Sequence, residues 1–441
     1  MTNLLKNVEI DVEKFKNQIL TGDLYGFEES FFAFVMREVY DKCVAMLIET
    51  VVESKEFQVK MNSLAKQQRM GKLQKRSVNL QIRTGTTIKV ELQYARLVPK
   101  TVNTSRYLGF QYWGIIAHAS PSYYSQVSKF SVLCGSFEIA KDVFSGLQIG
   151  GNLERIRSLS LAVSKKCLLK RVESMLGKDD NLAGKRVVIS TDGGRIRTRQ
   201  YKQEMNDKET HHKFETPWKE PKLFVISIID KDGKIEKKEL PIYDATFTDD
   251  SLFILLGNYL KSLNISQVSE VQVIADGALW IWNNAKNMLM SLGVSEEKII
   301  ETLDYFHAVE HLKKLTELLP KEKNDIKNKV FDELKALLWE GNIKAIIEKI
   351  GTHLKRTSKK IKTELAYFEK NTLRMNYQVL RKNKWLCGSG IIESGVRRMI
   401  NLRFKSPSCF WKQENLDGLI FLRCALLSGR WKFIMQTITN F

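Results

Sequence analysis

Two aspartates stand where a metal site could form. Asp192 and Asp276 each follow a short apolar run directly, and each precedes a glycine, Gly193 or Gly277. An acid at the end of a buried strand is held on a rigid element, and a glycine beside it lets another backbone or a phosphate approach closely. Converging carboxylates are the ligands that Mg²⁺ and Mn²⁺ prefer, so the pattern indicates metal-assisted phosphoryl transfer. Taken alone, either aspartate is more simply a turn or helix-cap residue.

A third acid strengthens the metal hypothesis. Glu393 follows a turn of small residues at 388–390 and is expected in the first turn of a helix. A carboxylate for a metal and cations for phosphates are the two things that a site for nucleic-acid cleavage requires together. The cations that follow Glu393 are Arg397, Arg398, Arg403 and Lys405.

Four segments carry a resemblance to a known family. They are STDGGRIR at 190–197, VIADGALWIWN at 273–283, DYFHAVEHL at 304–312 and the segment at 388–431 that begins GSGIIESGVRRMINLRFK. Together they resemble the DDE transposases of bacterial insertion sequences, close to the Kra-type group and with mutator-like features. The resemblance covers residues 185–432.

The resemblance implies an α/β fold, a ribonuclease H-like mixed sheet with a helical insertion. It makes Asp192, Asp276 and Glu393 the catalytic and metal-binding triad for two Mg²⁺ or Mn²⁺ ions. Asp304 and His307 fill the supporting Asp-x-x-His motif that opens the insertion. The implied activity is cleavage of double-stranded DNA at the terminal inverted repeats of an element, followed by transfer of the freed 3′ ends into target DNA.

Further residues are predicted to contact DNA. Arg195 and Arg197 come shortly after the first acid. Trp411 lies near Arg403 and Lys405, and it is the better stacking candidate for an unpaired base. Trp280 and Trp282 are more simply explained by packing under the sheet.

One segment allows a different enzyme class. The sequence HAVEH at 307–311 matches the H-x-x-E-H pattern of inverted zinc peptidases, with His307 and His311 as ligands and Glu310 as base. A peptidase does not require the surplus of basic residues. The simpler interpretation is that His311 lies on a helix face, where neighbouring residues partly satisfy its hydrogen bonds. The sequence also leaves open a non-catalytic DNA-binding protein with the same fold and a structure-specific nuclease.

Hydrophobic periodicity predicts the elements that position these residues. Strands are expected at 186–191, 223–229, 234–240, 271–275 and 299–303, and helices at 249–263 and 278–292. Residues 306–384 have helical patterns and no strand-like run, so they are expected to form the insertion. The catalytic domain would then consist of residues 181–305 and 385–441.

The first part of the chain is expected to be an α+β DNA-binding region. It would comprise a helical region at 1–76, a β-hairpin subdomain and loop-like segment at 77–130, and a helix-turn-helix-like region at 131–180. Arg155 and Arg157 in the last of these are predicted to contact DNA. Members of the family often carry a zinc ribbon here, whereas Cys43, Cys134 and Cys167 are isolated.

Composition limits the partners. Of 441 residues, 70 are lysine or arginine and 50 are aspartate or glutamate, which leaves a net charge of +20. This surplus favours a polyanionic partner, and we expect a homo-oligomer on DNA. Six cysteines without a C-x-x-C pair exclude a disulfide scaffold and a zinc finger. No apolar run nears the ~20 residues of a membrane span, and no signal core is present, so we expect a cytoplasmic, DNA-associated protein.

Overall fold

The computed structural model divides the chain into two compact units. One comprises Met1–Ser174 with Lys432–Phe441, and the other comprises Met175–Trp431. The structure describes residues 11–96, 105–201, 214–236, 239, 241–247, 249–319, 324–353, 358–407 and 409–439. Over those ranges, no helix combines the length and the apolar character that crossing a bilayer requires.

Helices open the first unit. They are α1 (Val12–Leu20), α2 (Leu24–Phe34), α3 (Lys42–Glu53) and α4 (Lys55–Gln67), with a π-helical turn at Val35–Asp41. Ser54 separates α3 from α4 because its hydroxyl accepts a hydrogen bond from the Phe57 N–H at 3.2 Å. The predicted helical character of this region therefore holds as far as Gln67.

The predicted hairpin is confirmed. The strands are β1 (Gln74–Gln81), β2 (Thr87–Arg96) and β3 (Ser105–Tyr107), which form an antiparallel sheet in that order. Val78 opposes Val90 across the hairpin, and both are buried. Gly85 lies in the turn with a φ of +82°, in the left-handed region that favours glycine.

The segment that follows is helical, so the prediction of a loop-like middle was wrong. Its helices are α5 (Leu108–Tyr112), α6 (Pro121–Leu133), α7 (Phe137–Gly146), α8 (Leu153–Leu168) and α9 (Arg171–Met175). Two tyrosines of this segment belong to the core: Tyr123 and Tyr124 are fully buried, and the Tyr123 hydroxyl donates to the Gly150 carbonyl at 2.8 Å. The helix-turn-helix-like region predicted at 131–180 contains two consecutive helices, α7 and α8, on either side of Gly150.

A mixed five-stranded sheet forms the centre of the second unit. The strands of this unit are β4 (Arg186–Gly193), β5 (Ile196–Arg197), β6 (Gln200–Tyr201), β7 (Phe214–Glu215), β8 (Trp218–Lys219), β9 (Lys222–Ile229), β10 (Ile242–Thr246), β11 (Glu270–Ala275) and β12 (Ile299–Leu303). The sheet order is β10-β9-β4-β11-β12, in which β11 is parallel to β4 and β12 while β9 is antiparallel to β4 and β10. The remaining strands pair as two short ribbons, β5 with β8 and β6 with β7.

Four of the five predicted strands are confirmed, and one is wrong. In chain order, the third strand of the sheet is Ile242–Thr246 and not 234–240. The range 234–240 lies partly outside the described residues. The described part of that range makes a single bridge, from Ile235 to Ile229. Its lysines and glutamates offer little apolar surface, whereas all five residues of β10 are buried.

Helices pack against this sheet and lie between its strands in sequence. They are α10 (Asp249–Ser262), α11 (Leu279–Trp282), α12 (Ala285–Ser291), α13 (Tyr305–Glu317), α14 (Asn324–Trp339), α15 (Ile343–Thr352), α16 (Lys359–Lys370), α17 (Tyr377–Lys382), α18 (Gly390–Gly395), α19 (Leu402–Phe404) and α20 (Gln413–Leu427). A π-helical turn, Val396–Asn401, follows α18. The predicted helix at 278–292 is divided into α11 and α12, and α10 begins and ends near its predicted bounds. The last helix, α21 (Trp431–Thr439), belongs to the first unit from Lys432 onward.

The insertion prediction agrees with the observed elements. Helices α13 to α17 lie between β12 and α18, and the described residues of 306–384 contain no strand. Helices α10 and α20 pack against β10, and α18 packs against β4 and β9. The second unit is therefore of mixed α/β class, as predicted.

Candidate functional site

Strand pairing brings the two predicted aspartates to the same end of the sheet. Strands β4 and β11 are neighbours and parallel, with Ser190 opposite Ile274. The Ser190 hydroxyl also donates to the Ile274 carbonyl at 2.6 Å. Asp192 lies two residues after Ser190, and Asp276 lies two residues after Ile274. Their carboxyl groups therefore leave the sheet at adjacent strand ends, as the sequence predicts.

The Asp192 carboxyl experiences the charges of the whole site. Burial raises the pKa of this carboxyl above its ordinary value, and the negative charges of Asp276 and Glu393 raise it further. The Gly193 N–H, 2.6 Å from Asp192 Oδ1, and the nearby His307 oppose the rise without cancelling it. The structure thus brings three predicted acids and His307 within electrostatic range of one another.

Asp276 has a second, local role. Its Oδ1 accepts a hydrogen bond from the Ala278 N–H at 2.9 Å, and its carbonyl accepts one from Trp282 Nε1 at 2.8 Å. The simple turn interpretation of this aspartate is therefore also correct. Trp282 is buried, as the packing prediction expects, and Trp280 is partly buried against Phe253.

The two glycines beside these acids make room for protein side chains. A Cβ at Gly193 would overlap the Glu220 carboxylate, and a Cβ at Gly277 would overlap the Tyr367 ring of α16. The Tyr367 ring requires glycine at position 277, whereas the Glu220 carboxylate beside Gly193 is the end of a flexible side chain that can shift. Side chains thus fill the space that we expected to admit another backbone or a phosphate.

Asp304 connects three segments at the edge of the site. It is fully buried, and its N–H donates to the Ala275 carbonyl at 2.8 Å, next to Asp276. Its Oδ1 accepts from the His307 N–H at 2.9 Å and so caps α13, while its Oδ2 accepts from the Ser389 N–H. One residue thus joins three segments: its backbone N–H bonds to the end of β11, and its carboxylate bonds to the start of α13 and to the turn before α18.

Asp304 and His307 also form an ion pair. His307 Nδ1 lies 3.5 Å from Asp304 Oδ1. Burial acts to raise the pKa of Asp304, but hydrogen bonds from His307 and Ser389 outweigh it and lower the pKa to about 2. Conversely, the Asp304 carboxylate, against the effect of burial, raises the pKa of His307 to about 9. The pair therefore favours its charged form over a wide pH range.

A glutamine places the segment that leads to Glu393. The Gln272 side chain of β11 donates to the Leu386 carbonyl at 2.7 Å and accepts from the Leu386 N–H at 3.2 Å. The Tyr305 N–H donates to the Cys387 carbonyl at 2.9 Å. These bonds hold the chain along the sheet edge just before α18, on which Glu393 lies as predicted. Neither Gln272 nor Ser389 carries a sequence signal for this role.

One group of ligand atoms in the described chain is compact enough to hold a cation. Asp304, His307 and Glu393 each offer one ligand atom, and these atoms lie within 4.8 Å of one another. Asp304 is buried, whereas Glu393 is exposed. Glu393 thus belongs both to this group and to the predicted triad, whereas the group includes neither Asp192 nor Asp276.

The zinc-peptidase pattern is not assembled. His311 Nδ1 lies 2.6 Å from Glu364 Oε2, and its ring stacks on Tyr367 with centroids 3.7 Å apart. Glu310 is exposed. The compact group described above includes His307 but not His311. The interpretation of His311 as a helix-face residue satisfied by its neighbours is therefore confirmed.

The predicted DNA contacts divide into exposed and buried residues. The exposed ones in the second unit are Arg195, Arg197, Arg397, Arg398 and Lys405. Arg403 is only 1% exposed and Trp411 only 9%, so their prediction as DNA-contacting residues was wrong. The Trp411 Nε1 donates to the Phe404 carbonyl at 3.2 Å, and the two rings pack edge to face. Both residues belong to the core beneath the exposed cations.

In the first unit, Arg155 is bonded within the fold, whereas Arg157 is exposed. Arg155 Nε donates to Gln81 Oε1 and one of its terminal nitrogens donates to the Ala117 carbonyl, both at 2.7 Å. These bonds tie α8 to β1, so Arg155 has a structural role. Arg157 is exposed near Glu154 and remains accessible.

The site is thus defined by geometry: acids on two adjacent strand ends, a third on α18, and an Asp–His pair that links their supports. No family model, curated protein or solved structure matches the chain.

Proposed function

We propose that the protein is a metal-dependent DNA transposase with Asp192, Asp276 and Glu393 as its catalytic residues. The observation that carries the proposal is the environment of Asp192. Its carboxyl lies at the end of a central strand, where burial raises its pKa and two acids from separate segments raise it further. Carboxylates that repel one another in a partly buried place are stabilised when a cation lies among them.

The donor set fits hard divalent ions. All three residues offer carboxylate oxygens, which Mg²⁺ and Mn²⁺ prefer, and the aspartates are held on strand ends. Asp192 and Asp276 would hold two such ions from the sheet, and Glu393 would hold them from α18. When bound, the ions supply the positive charge that activates the attacking oxygen and stabilises the leaving oxygen in phosphodiester cleavage.

Exposed cations near Glu393 would bind the DNA backbone. Arg397 and Arg398 are exposed on the π-helical turn directly after α18. Phosphate contacts of this kind fix the register of a duplex without reading its sequence. A net charge of +20 supports DNA as the partner.

Asp304 and His307 would act as positioning residues. Asp304 holds the turn before α18 through the Ser389 N–H, so it sets where α18 begins. The charged His307 lies among the acids and offsets part of their repulsion. This arrangement would orient Glu393 toward the two aspartates.

The proposal extends to the fold of the second unit. Its mixed sheet, with acids at the ends of adjacent parallel strands and helices α13 to α17 between β12 and α18, supports assignment to a ribonuclease H-like domain with a helical insertion. The function of transferring strands at inverted repeats rests on the resemblance of the motifs.

The test uses the full-length protein and a plasmid that carries its gene with the native flanking DNA. With Mg²⁺, we expect nicks at the ends of the element and joining of those ends to target DNA. Asp192→Asn, Asp276→Asn and Glu393→Gln are each expected to abolish cleavage while DNA binding persists, because the amides keep shape but lose charge. Glu348→Gln is the matched control, since Glu348 is exposed on α15.

The outcomes distinguish three kinds of protein. Cleavage that survives in one acid variant removes that residue from the triad. Cleavage without joining, and without preference for the element ends, would indicate a structure-specific nuclease. Binding without any metal-dependent cleavage by the unmodified protein would indicate a non-catalytic DNA-binding protein.

A further inference from the structure

Two short ribbons beyond β4 carry a set of arginines and aromatic rings. Arg197 of β5 lies opposite Trp218 of β8, and Tyr201 of β6 lies opposite Phe214 of β7. Arg199 lies between the two pairs in sequence. We refer to these five residues as the arginine–aromatic ribbon.

The rings of the ribbon are exposed although their strands are attached to the core. Trp218 is 49% exposed, Tyr201 41% and Phe214 38%. Residues that alternate with the arginines, Ile196 and Thr198, are buried. The ribbon thus has one face against the protein and one face that presents rings and guanidinium groups.

Each ring lies beneath a cation. The guanidinium carbon of Arg197 is 5.0 Å from the centroid of the Trp218 ring, and that of Arg199 is 4.4 Å from the Phe214 ring. Lys412 Nζ lies 5.6 Å from the Tyr201 ring. Cation–π contacts of this kind hold long basic side chains in place beside the rings.

A cavity adjoins Trp218. Its volume is about 180 Å³, and its lining includes Arg197, Trp218, Phe404, Lys405, Pro407 and Cys409. The lining combines aromatic surface with two cations and contains no acid among the described residues. Its chemistry suits a planar, apolar group with an attached anion.

The ribbon is fixed relative to the sheet. The Arg199 N–H donates to the Trp411 carbonyl at 2.7 Å, and the Trp411 N–H donates to the Arg197 carbonyl at 3.1 Å. The Gly194 N–H donates to the Pro221 carbonyl at 2.9 Å. The ribbon thus continues the β4–β9 hairpin, and Arg197 follows Asp192 by about 17 Å of extended chain.

We propose that the arginine–aromatic ribbon binds an unpaired segment of a DNA strand, with one base stacked on Trp218 and the adjacent phosphates on Arg197 and Lys405. The inference rests on the proposed function, because it takes DNA as the substrate. Paired bases offer their faces only to their neighbours in the stack, so exposed rings select strands whose bases are unstacked. The surrounding cations disfavour an apolar protein segment as the occupant and attract phosphates.

The test measures equilibrium binding without metal, so that it does not depend on cleavage. Full-length protein in EDTA is titrated against fluorescent oligothymidylate of about 16 nucleotides, the upper end of the range for single-strand sites. A blunt duplex is titrated in parallel. We expect Trp218→Leu to weaken single-strand binding by about 5- to 150-fold, which corresponds to the loss of one stacked base, and to change duplex binding by less than about 2-fold.

Trp218→Phe is the matched control, because it keeps an aromatic ring where leucine keeps only apolar volume. It should retain binding within about threefold of the unmodified protein. Equal single-strand affinity of Trp218→Leu and the unmodified protein would overturn the inference, as would an equal loss for single strand and duplex. Thermal unfolding of both variants shows whether a loss reflects unfolding. If this test fails but the protein cleaves DNA with metal, the proposed function stands and only the inference about the arginine–aromatic ribbon falls. If the protein binds single strands as expected but does not cleave DNA, the inference about the ribbon stands and the proposed function falls.

Discussion

Replacement of Asp304 by alanine should destabilise the second unit more than replacement of an exposed helix cap. Asp304 is fully buried, and its carboxylate accepts from the His307 N–H at 2.9 Å and from the Ser389 N–H. Loss of the cap on α13 costs about 1 kcal/mol. The buried Ser389 N–H would lose its acceptor as well, which costs about 1–3 kcal/mol. Together these terms predict a loss of about 2–4 kcal/mol in the free energy of unfolding.

The matched control is Asn342→Ala. Asn342 caps α15 in the same unit, and its Oδ1 accepts from the Ala345 N–H at 3.1 Å. It is exposed, and among the described residues its side chain makes that cap bond alone. We expect a loss of about 1 kcal/mol. Urea unfolding followed by tryptophan fluorescence measures both variants. Equal losses would refute the argument that the buried bond to Ser389 stabilises the site.

The pH dependence provides a second test of the same residue. The pKa of Asp304 is lowered from 3.8 to about 2 in the folded protein, so its charge stabilises the fold above pH 4. That contribution, about 2 kcal/mol, is lost as the pH falls from 4 to 2. The stability difference between the unmodified protein and Asp304→Asn should therefore narrow in that window. A difference that stays constant down to pH 2 would contradict the reasoning.

Three further predictions concern the site and its partner. The pKa of His307 is raised from 6.5 to about 9, so the stability that its charge contributes is complete below pH 6.5 and is lost as the pH rises through 9. Urea unfolding should show this fall in the free energy of unfolding for the unmodified protein but not for His307→Gln. Gly277→Ala should lower the melting temperature measured by circular dichroism, because the new methyl group would overlap the Tyr367 ring, whereas Gly351→Ala, with open space around it, should not. The logarithm of the DNA affinity should fall by ~0.9 per contacted phosphate for each unit of log salt; a flat titration would contradict the phosphate-binding role of Arg397 and Arg398.

The elements that hold the acids were predictable because local sequence specifies them. The runs at 186–191 and 271–275 carry apolar residues on both faces, which is typical of strands buried in the centre of a sheet that contains parallel pairs. Once two such strands are parallel neighbours, Asp192 and Asp276 must leave the sheet together. The α/β class follows from the succession of predicted strands and helices, and the meeting of the two aspartates follows once β4 and β11 pair in parallel.

The wrong and the missing predictions have one physical origin, because both concern tertiary contacts. Trp411 follows a basic stretch and suggested an exposed ring, yet the Phe404 carbonyl and ring hold it in the core. Gln272 supports the approach to α18 through Leu386, a partner more than a hundred residues away in sequence. No local pattern encodes such a pairing, because it depends on where the chain returns after α17.

The return of the chain to the sheet edge after α17 determines which part of the molecule can change in length. The Tyr305 N–H bonds to the Cys387 carbonyl at 2.9 Å, so the chain re-enters the sheet edge beside the point where it departed. An excursion whose ends meet can lengthen at little thermodynamic cost, since each doubling of a flexible loop adds only about 0.6 kcal/mol of closure entropy. The helical excursion can thus gain or exchange peripheral helices while the acids keep their places. Its outer helices are accordingly where we would graft a reporter domain to follow the protein in a living cell.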